Sequence, residues 1–149
     1  MGNILVIDDE SGILHLIEKV LTRCGHRVEI AANGQEGIQK FDEGVFDMVI
    51  TDILMPVVDG NGVVRHIREH CHQDIPVIGI SGTPWLAGHS AFDLVLTKPL
   101  PLKTLVNSVA VLTRACTRTA ASAQPGQVPA KPENIQRVRQ VVEPLLEVS

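Results

Sequence analysis

The chain has 149 residues, of which 44% are hydrophobic, 20% charged and 3% aromatic, with a formal net charge of −4. That length supports one domain with a real core, built here from aliphatic side chains, and the acidic balance argues against a general nucleic-acid binder. Cys24, Cys71 and Cys116 are odd in number and far apart, which fits a reducing cytoplasm better than a disulfide framework; no apolar run approaches the roughly 18 residues of a membrane span, and no secretory leader is expected.

Asn3-Ile4-Leu5-Val6-Ile7 reads as a short apolar strand and ends in three acids, Asp8, Asp9 and Glu10. Ser11-Gly12 opens a helix with Ile13, Leu14, Leu16, Ile17, Val20 and Leu21 along one face. Gly25 is its expected C-terminal stop. Arg27-Val28-Glu29-Ile30-Ala31 is a second strand, and Asn33-Gly34 turns into a second helix carrying Ile38 and Phe41 and halted by Gly44. Phe46-Asp47-Met48-Val49-Ile50, mostly apolar and β-branched, reads as a buried third strand. Asp52 appears where that run gives out, and Met55-Pro56 and Asp59-Gly60 then mark a loop.

A third helix is predicted over residues 61–69, with Val63, Val64 and Ile67 apolar. Ile75-Pro76-Val77-Ile78-Gly79-Ile80 is a fourth strand ending in Ser81-Gly82, and residues 84–91 form a short helical candidate. Asp93-Leu94-Val95-Leu96-Thr97 is a fifth strand ending in Lys98-Pro99. A fifth helix is predicted over 101–114, with Leu102, Leu105, Val106, Val109 and Leu112 inward. Strands alternating with helices predict a doubly wound α/β domain with a parallel sheet, and right-handed crossovers leave few topologies. The expected organisation is a domain over 1–116, a Thr, Ala, Ser, Gly and Pro linker over 117–131, and a short helical tail over 132–149 that Pro132 could open.

The polar residues at the strand ends carry the chemistry. Asp8 and Asp9 follow the first strand, Asp52 the third, Ser81 the fourth and Lys98 the fifth, so all belong to one edge, where open α/β sheets bind ligands. Each alone has an ordinary explanation: Asp8 or Asp9 as a helix cap, Asp52 as a loop cap, Ser81 as a turn residue, Lys98 as a solvated charge. Together, three carboxylates would repel one another, and a hard cation such as Mg²⁺ relieves that. A lysine and a hydroxyl beside it make a phosphate-sized pocket. Asp is a competent phosphoryl acceptor, and cation plus lysine would neutralise the transferring phosphoryl oxygens.

The set Asp8-Asp9, Asp52 with Met55-Pro56 and Asp59-Gly60, Ser81-Gly82, and Lys98-Pro99 resembles the receiver domain of bacterial two-component response regulators, over residues 2–115. The resemblance implies a flavodoxin-like (βα)5 fold with strand order 2-1-3-4-5. It implies Mg²⁺ held directly by Asp9, chiefly through water by Asp8, and by Asp52 and the Leu54 backbone carbonyl. It implies phosphorylation of Asp52 by a sensor histidine kinase or a histidine phosphotransfer protein. Ser81, with Gly82, would shift toward the phosphoryl group, Lys98 would pair with it, and the Lys98-Pro99 peptide would be cis.

Three features depart from the family pattern. Val95 stands where an aromatic switch residue is usual, and a β-branched side chain has little χ1 freedom to signal with. The spacing from Ser81 to Lys98 is 17 residues, short for the family, so a curtailed fourth helix is expected, with switching concentrated between Gly82 and Phe92. No DNA-binding or enzymatic output domain is expected in the tail, hence no direct DNA binding and an unknown downstream protein partner. His66, His70, Cys71 and His72 crowd the end of the third helix; a solvated helix end favoured by the dipole is preferred over zinc, because no second ligand pair stands at a standard spacing. Trp85 is read as packing over the shortened loop. Besides a non-enzymatic phosphoacceptor, the sequence admits a phosphorylation-independent interaction module and a receiver fragment of a larger hybrid kinase or regulator. A phosphatase with an aspartyl nucleophile is disfavoured, because Leu54 stands where the second Asp would be.

Overall fold

The computed structural model describes residues 2–71, 74–83 and 91–122, with side chains through Arg114. Five strands make one parallel sheet in the order β2-β1-β3-β4-β5: β1 (Asn3–Ile7), β2 (Arg27–Ala31), β3 (Met48–Asp52), β4 (Val77–Ser81) and β5 (Leu94–Thr97). Four helices are described, α1 (Ser11–Arg23), α2 (Gly34–Glu43), α3 (Gly60–His70) and α4 (Leu102–Ser122). The flavodoxin-like order expected from the resemblance is the order observed.

β1, β3 and β4 are buried almost throughout because both faces of the sheet are covered there, whereas the edge strand β2 alternates and exposes Arg27 and Glu29. Alternate residues divide between two cores. Ile4, Val6, Met48, Ile50, Ile78, Ile80 and Leu96 face Leu14, Ile17 and Leu21 of α1 and Leu105, Val109 and Leu112 of α4. On the other side Leu5, Ile7, Val49 and Val77 meet Val63, Val64 and Ile67 of α3, with Ile38 and Phe41 of α2 against them. Aliphatic residues supply nearly all of this surface, as the low aromatic content requires.

Local chemistry fixes where the helices start and stop. Asn33 caps α2 by accepting the Glu36 N–H at 2.8 Å, while Glu36 Oε2 accepts the Ala32 N–H at 3.2 Å, a variant of the capping box. Asp59 caps α3 through the Gly62 N–H at 2.8 Å. Gly25 ends α1 with φ of +90°, a conformation that L side chains resist.

Apart from shifts of one or two residues elsewhere, four sequence-predicted boundaries move for a visible physical reason. β3 starts at Met48 rather than Phe46; Phe46 is buried beside Phe41, ring centroids 6.4 Å apart, and Asp47 Oδ2 accepts the Asn3 N–H at 2.8 Å. β4 starts at Val77, after Pro76, which has no N–H to give the ladder. β5 starts at Leu94, because the Asp93 carboxylate turns in to accept the Val77 N–H at 2.7 Å. α4 does not stop at residue 114 but runs to Ser122, over the first residues read as linker; Ala115, Ala120 and Ala121 favour helix, and the first breaker is Pro125. The predicted helix over 84–91 falls, all but its last residue Ala91, on residues outside those described, as do Trp85, His72 and the tail helix after Pro132. Among the described residues, no helix is long and apolar enough to cross a membrane.

Candidate functional site

The sheet carries on by one hydrogen bond beyond β1, β3 and β5, and those bonds set the site. The Asp8 N–H donates to Ala31 O at 3.1 Å, the Ile53 N–H to Ile80 O at 2.9 Å, and the Lys98 N–H to Ser81 O at 3.0 Å. Asp8, Asp52, Ser81 and Lys98 are therefore placed by ladder geometry rather than by free loops. Carboxylate oxygens of Asp8, Asp9 and Asp52 all lie within 4.8 Å of one another. Asp8 and Asp52 are buried, and Asp9 is exposed at the rim. Lys98 Nζ stands 3.5 Å from Asp52 Oδ2 and 4.0 Å from Asp8 Oδ2. The Lys98–Pro99 peptide is cis, as the resemblance implied.

Asp8 is not merely a helix cap. The residue at the N-cap of α1 is Glu10, with no side-chain capping bond. Asp8 Oδ1 accepts the Glu10 N–H at 2.8 Å, while its Oδ2 is buried and has no hydrogen-bond partner among the described residues. Burial pushes the Asp8 carboxyl up to about 6; the Glu10 N–H opposes that rise and the Asp52 charge adds to it. Burial also raises the Asp52 carboxyl above its usual range, against the lowering pull of the Lys98 charge and hydrogen bond. Burial alone would lower the Lys98 ammonium, but its hydrogen bond to Glu10 and the charges of Asp52 and Asp8 outweigh it, and the net shift is upward. Asp8 and Asp52, both raised by burial, and the Asp8 Oδ2 with no hydrogen-bond donor among the described residues make a donor set suited to a cation.

The loop after β3 is pressed onto the site. A Cβ at Gly60 would stand 2.5 Å from Asp52 O and 2.7 Å from Ile53 Cα, so only glycine lets α3 begin there; its N–H donates to Ile53 O at 2.9 Å. Between them the Val58 N–H reaches Pro56 O at 2.9 Å, a γ-turn around Val57, which has φ of +69° and is 95% exposed. A β-branched residue there stores strain of about 1–3 kcal/mol. Leu54, the expected backbone ligand, lies in this loop and is 52% exposed.

Ser81 is buried, and its Oγ accepts the Thr83 N–H at 2.9 Å with Thr83 Oγ1 3.3 Å away. Its hydroxyl is thus held by its own turn. Gly82 is exposed, and a Cβ there would meet nothing within 4 Å, so steric need does not explain the glycine. Val95 is half-buried against the core on the α2 and α3 side, a packing position rather than a rotor.

Two pairings were not visible in the sequence. Glu10 Oε1 lies 3.2 Å from Lys98 Nζ; the only hint was that Glu10 extends the Asp8-Asp9 run. Arg68 closes the far end of the domain, donating to Ile75 O at 2.7 Å, to Ala91 O and to Asp93 Oδ2 at 2.8 Å. Nothing in the spacing of Arg68 and Asp93 announces it. At the α3 terminus His66 Nε2 pairs with Asp42 Oδ1 at 2.8 Å and the His66 ring stacks on His70 at 4.2 Å. Among the described residues no metal-ligand cluster forms there, the acids of the sheet edge being the one such group.

The family model described as the response regulator receiver domain matches residues 4–110. The transcriptional regulatory protein PrrA of Mycobacterium tuberculosis is 36% identical over 124 residues, covering 80% of this chain and 53% of PrrA. A probable transcriptional regulator ycf27 of Cyanidium caldarium is 38% identical over 76 residues, covering 51% of this chain and 30% of its own length. The chain thus spans about half, or less, of the curated relatives it matches. Among solved structures, the response regulator protein TrrA of Thermotoga maritima, in complex with Mg²⁺ and BeF, superposes with a TM-score of 0.69 at 32% identity, covering 75% of this chain and 99% of that one. The chemotaxis response regulator CheY4 of Vibrio cholerae gives 0.70 at 27%, covering 75% and 98%. Fold, acid cluster and family match agree, and the chain belongs to the response regulator receiver family.

Proposed function

We propose that the domain is a phosphoacceptor: Asp52 takes a phosphoryl group from a phosphohistidine on a sensor histidine kinase or a histidine phosphotransfer protein, and the modified state signals by binding a downstream protein. The observation that carries this reading is the buried Asp52 carboxylate, 3.5 Å from the Lys98 ammonium, at the strand edge that Asp8 and Asp9 share. An oxygen of Asp52 attacks phosphorus in line, the P–N bond breaks, and the imidazole leaves with the electron pair. Lys98 is positioned to follow the negative charge from the carboxylate to the phosphoryl oxygens. The Ser81 hydroxyl turns from the Thr83 N–H to donate to one of those oxygens. Beyond forming and hydrolysing its own aspartyl-phosphate, the domain needs no catalytic activity.

Asp8, Asp9 and Asp52, with the Leu54 carbonyl implied by the family, would hold the Mg²⁺ this chemistry calls for. The fit rests on the donor set: three carboxylates with oxygens within 4.8 Å of one another, of which the buried Asp8 Oδ2 accepts no hydrogen bond among the described residues. When bound, such a cation would add its positive charge to that of Lys98 in neutralising the phosphoryl oxygens. Incubation with acetyl phosphate and Mg²⁺ should add one phosphoryl mass to the intact chain, and Asp52→Asn should abolish it. Equal labelling of that variant would refute the assignment.

A further inference from the structure

The Lys98 ammonium has three carboxylates in reach, and the nearest belongs to a residue with no part in the phosphoryl chemistry above. Glu10 Oε1 stands at 3.2 Å, Asp52 Oδ2 at 3.5 Å and Asp8 Oδ2 at 4.0 Å. Glu10 can reach across because its own position makes no other demand on it. Its backbone is extended at the N-cap of α1, and its side chain makes no capping bond. It also stands outside the cluster of Asp8, Asp9 and Asp52. A cation held by those three aspartates would draw on their charge and leave Glu10 as an uncommitted carboxylate beside Lys98.

We infer that Glu10 is a positioning residue that competes with the phosphoryl group for Lys98. In the resting domain it holds the ammonium on the rim side of Asp52, and it must release it when the phosphoryl group arrives. The inference rests on the phosphoacceptor reading and deepens it. The Glu10 carboxylate is 61% exposed and Lys98 23%. An exposed pair of this kind shifts an equilibrium by only about two- to five-fold, so it tunes the loaded state and contributes little to folding. Because the competition is for hydrogen bonds as well as charge, reach matters. An aspartate at this position would keep the charge but lose a methylene of reach, and water would screen what remains.

The test uses the full chain, with Glu10→Gln and Glu10→Asp as variants and beryllofluoride as the phosphoryl mimic. Two quantities are measured by NMR: the Lys98 side-chain resonances without the mimic, and the mimic's affinity with Mg²⁺ present. Both variants should shift the Lys98 resonances and bind the mimic about two- to five-fold more tightly than wild type, with thermal stability unchanged. Unmoved Lys98 resonances and unchanged affinity in Glu10→Gln would overturn the inference. So would Glu10→Asp behaving as wild type while Glu10→Gln alone tightens, because charge rather than pairing would then be the cause. If wild type binds no mimic, the phosphoacceptor reading itself fails and takes the competition with it. That outcome is recognisable because it appears in the unmutated chain.

Discussion

Replacing Asp8 with asparagine should stabilise the metal-free domain while destroying its response to Mg²⁺. In the folded chain burial raises the Asp8 carboxyl from its ordinary 3.8 to about 6, so the ionised form is disfavoured there relative to the unfolded chain. Each unit corresponds to about 1.4 kcal/mol, which makes the handicap near neutral pH about 3 kcal/mol. Asparagine keeps the oxygen that accepts the Glu10 N–H at 2.8 Å and replaces Oδ2, which accepts no hydrogen bond among the described residues, with a donor close to the Asp9 and Asp52 carboxylates. Imperfect fit will take back part of the gain, leaving about 1–3 kcal/mol. The sign fixes the pH dependence. Because the folded value is raised, the wild-type domain gains stability as pH falls through about 6, and the advantage of the variant fades until both forms are neutral below about 4. Urea unfolding with a chelator, near neutrality and near pH 4, measures this directly. Repeating it with Mg²⁺ should stabilise the wild type far more than the variant. A variant less stable than wild type near neutrality without metal would refute the claim that the cluster is strained by unneutralised charge.

Other expectations follow from the same geometry. Because Asp8 must be ionised to hold a cation, Mg²⁺ affinity should weaken as pH falls through about 6, with proton release on binding; calorimetry in buffers of different ionisation enthalpy would show it, and a pH-independent affinity would contradict it. Gly60→Ala drives a Cβ against backbone atoms at 2.5 and 2.7 Å and should cost about 1–3 kcal/mol, together with slower labelling of Asp52, as denaturant titration and intact mass would report. Arg68→Met removes the guanidinium from the buried Asp93 carboxylate at 2.8 Å and should cost about 2–4 kcal/mol. That change should leave phosphoryl uptake intact, because Arg68 holds Ile75 and Ala91 rather than the strand edge.

Residues whose role follows from periodicity or from strand-end position were legible in the sequence. Asp52 was visible because a single carboxylate ends a run of buried, mostly β-branched residues, and Lys98 because it follows the last apolar strand. The two-sided burial of the sheet was legible from Ile4 to Ile7 and from Met48 to Ile50, which lack polar alternation. What escaped were pairings made by tertiary approach. Arg68 and Asp93 lie on different elements, and only folding brings them to 2.8 Å. Glu10 looked like surplus acid until the loop after β5 carried Lys98 to it. The end of α4 was misplaced because Thr, Ala and Ser after Arg114 compose a linker as readily as a helix end; with no Pro or Gly before Pro125, the alanines decide for helix. Val57 shows a limit of another kind. Nothing in Pro56-Val57-Val58 signals a positive φ, which belongs to the tight turn leading to the close seating of Gly60 on Asp52.

The central claim is that Asp52 carries the phosphoryl group, and the chemistry of an acyl phosphate allows that to be read at single-residue resolution. After reaction with acetyl phosphate and Mg²⁺, borohydride reduction converts an aspartyl-phosphate to homoserine, and peptide mass spectrometry locates the altered residue. The account predicts homoserine at position 52, absent when Mg²⁺ is chelated, with Asp8, Asp9 and Asp59 unchanged. Homoserine at any of those other aspartates, or none anywhere under conditions where a known receiver is labelled, would contradict it.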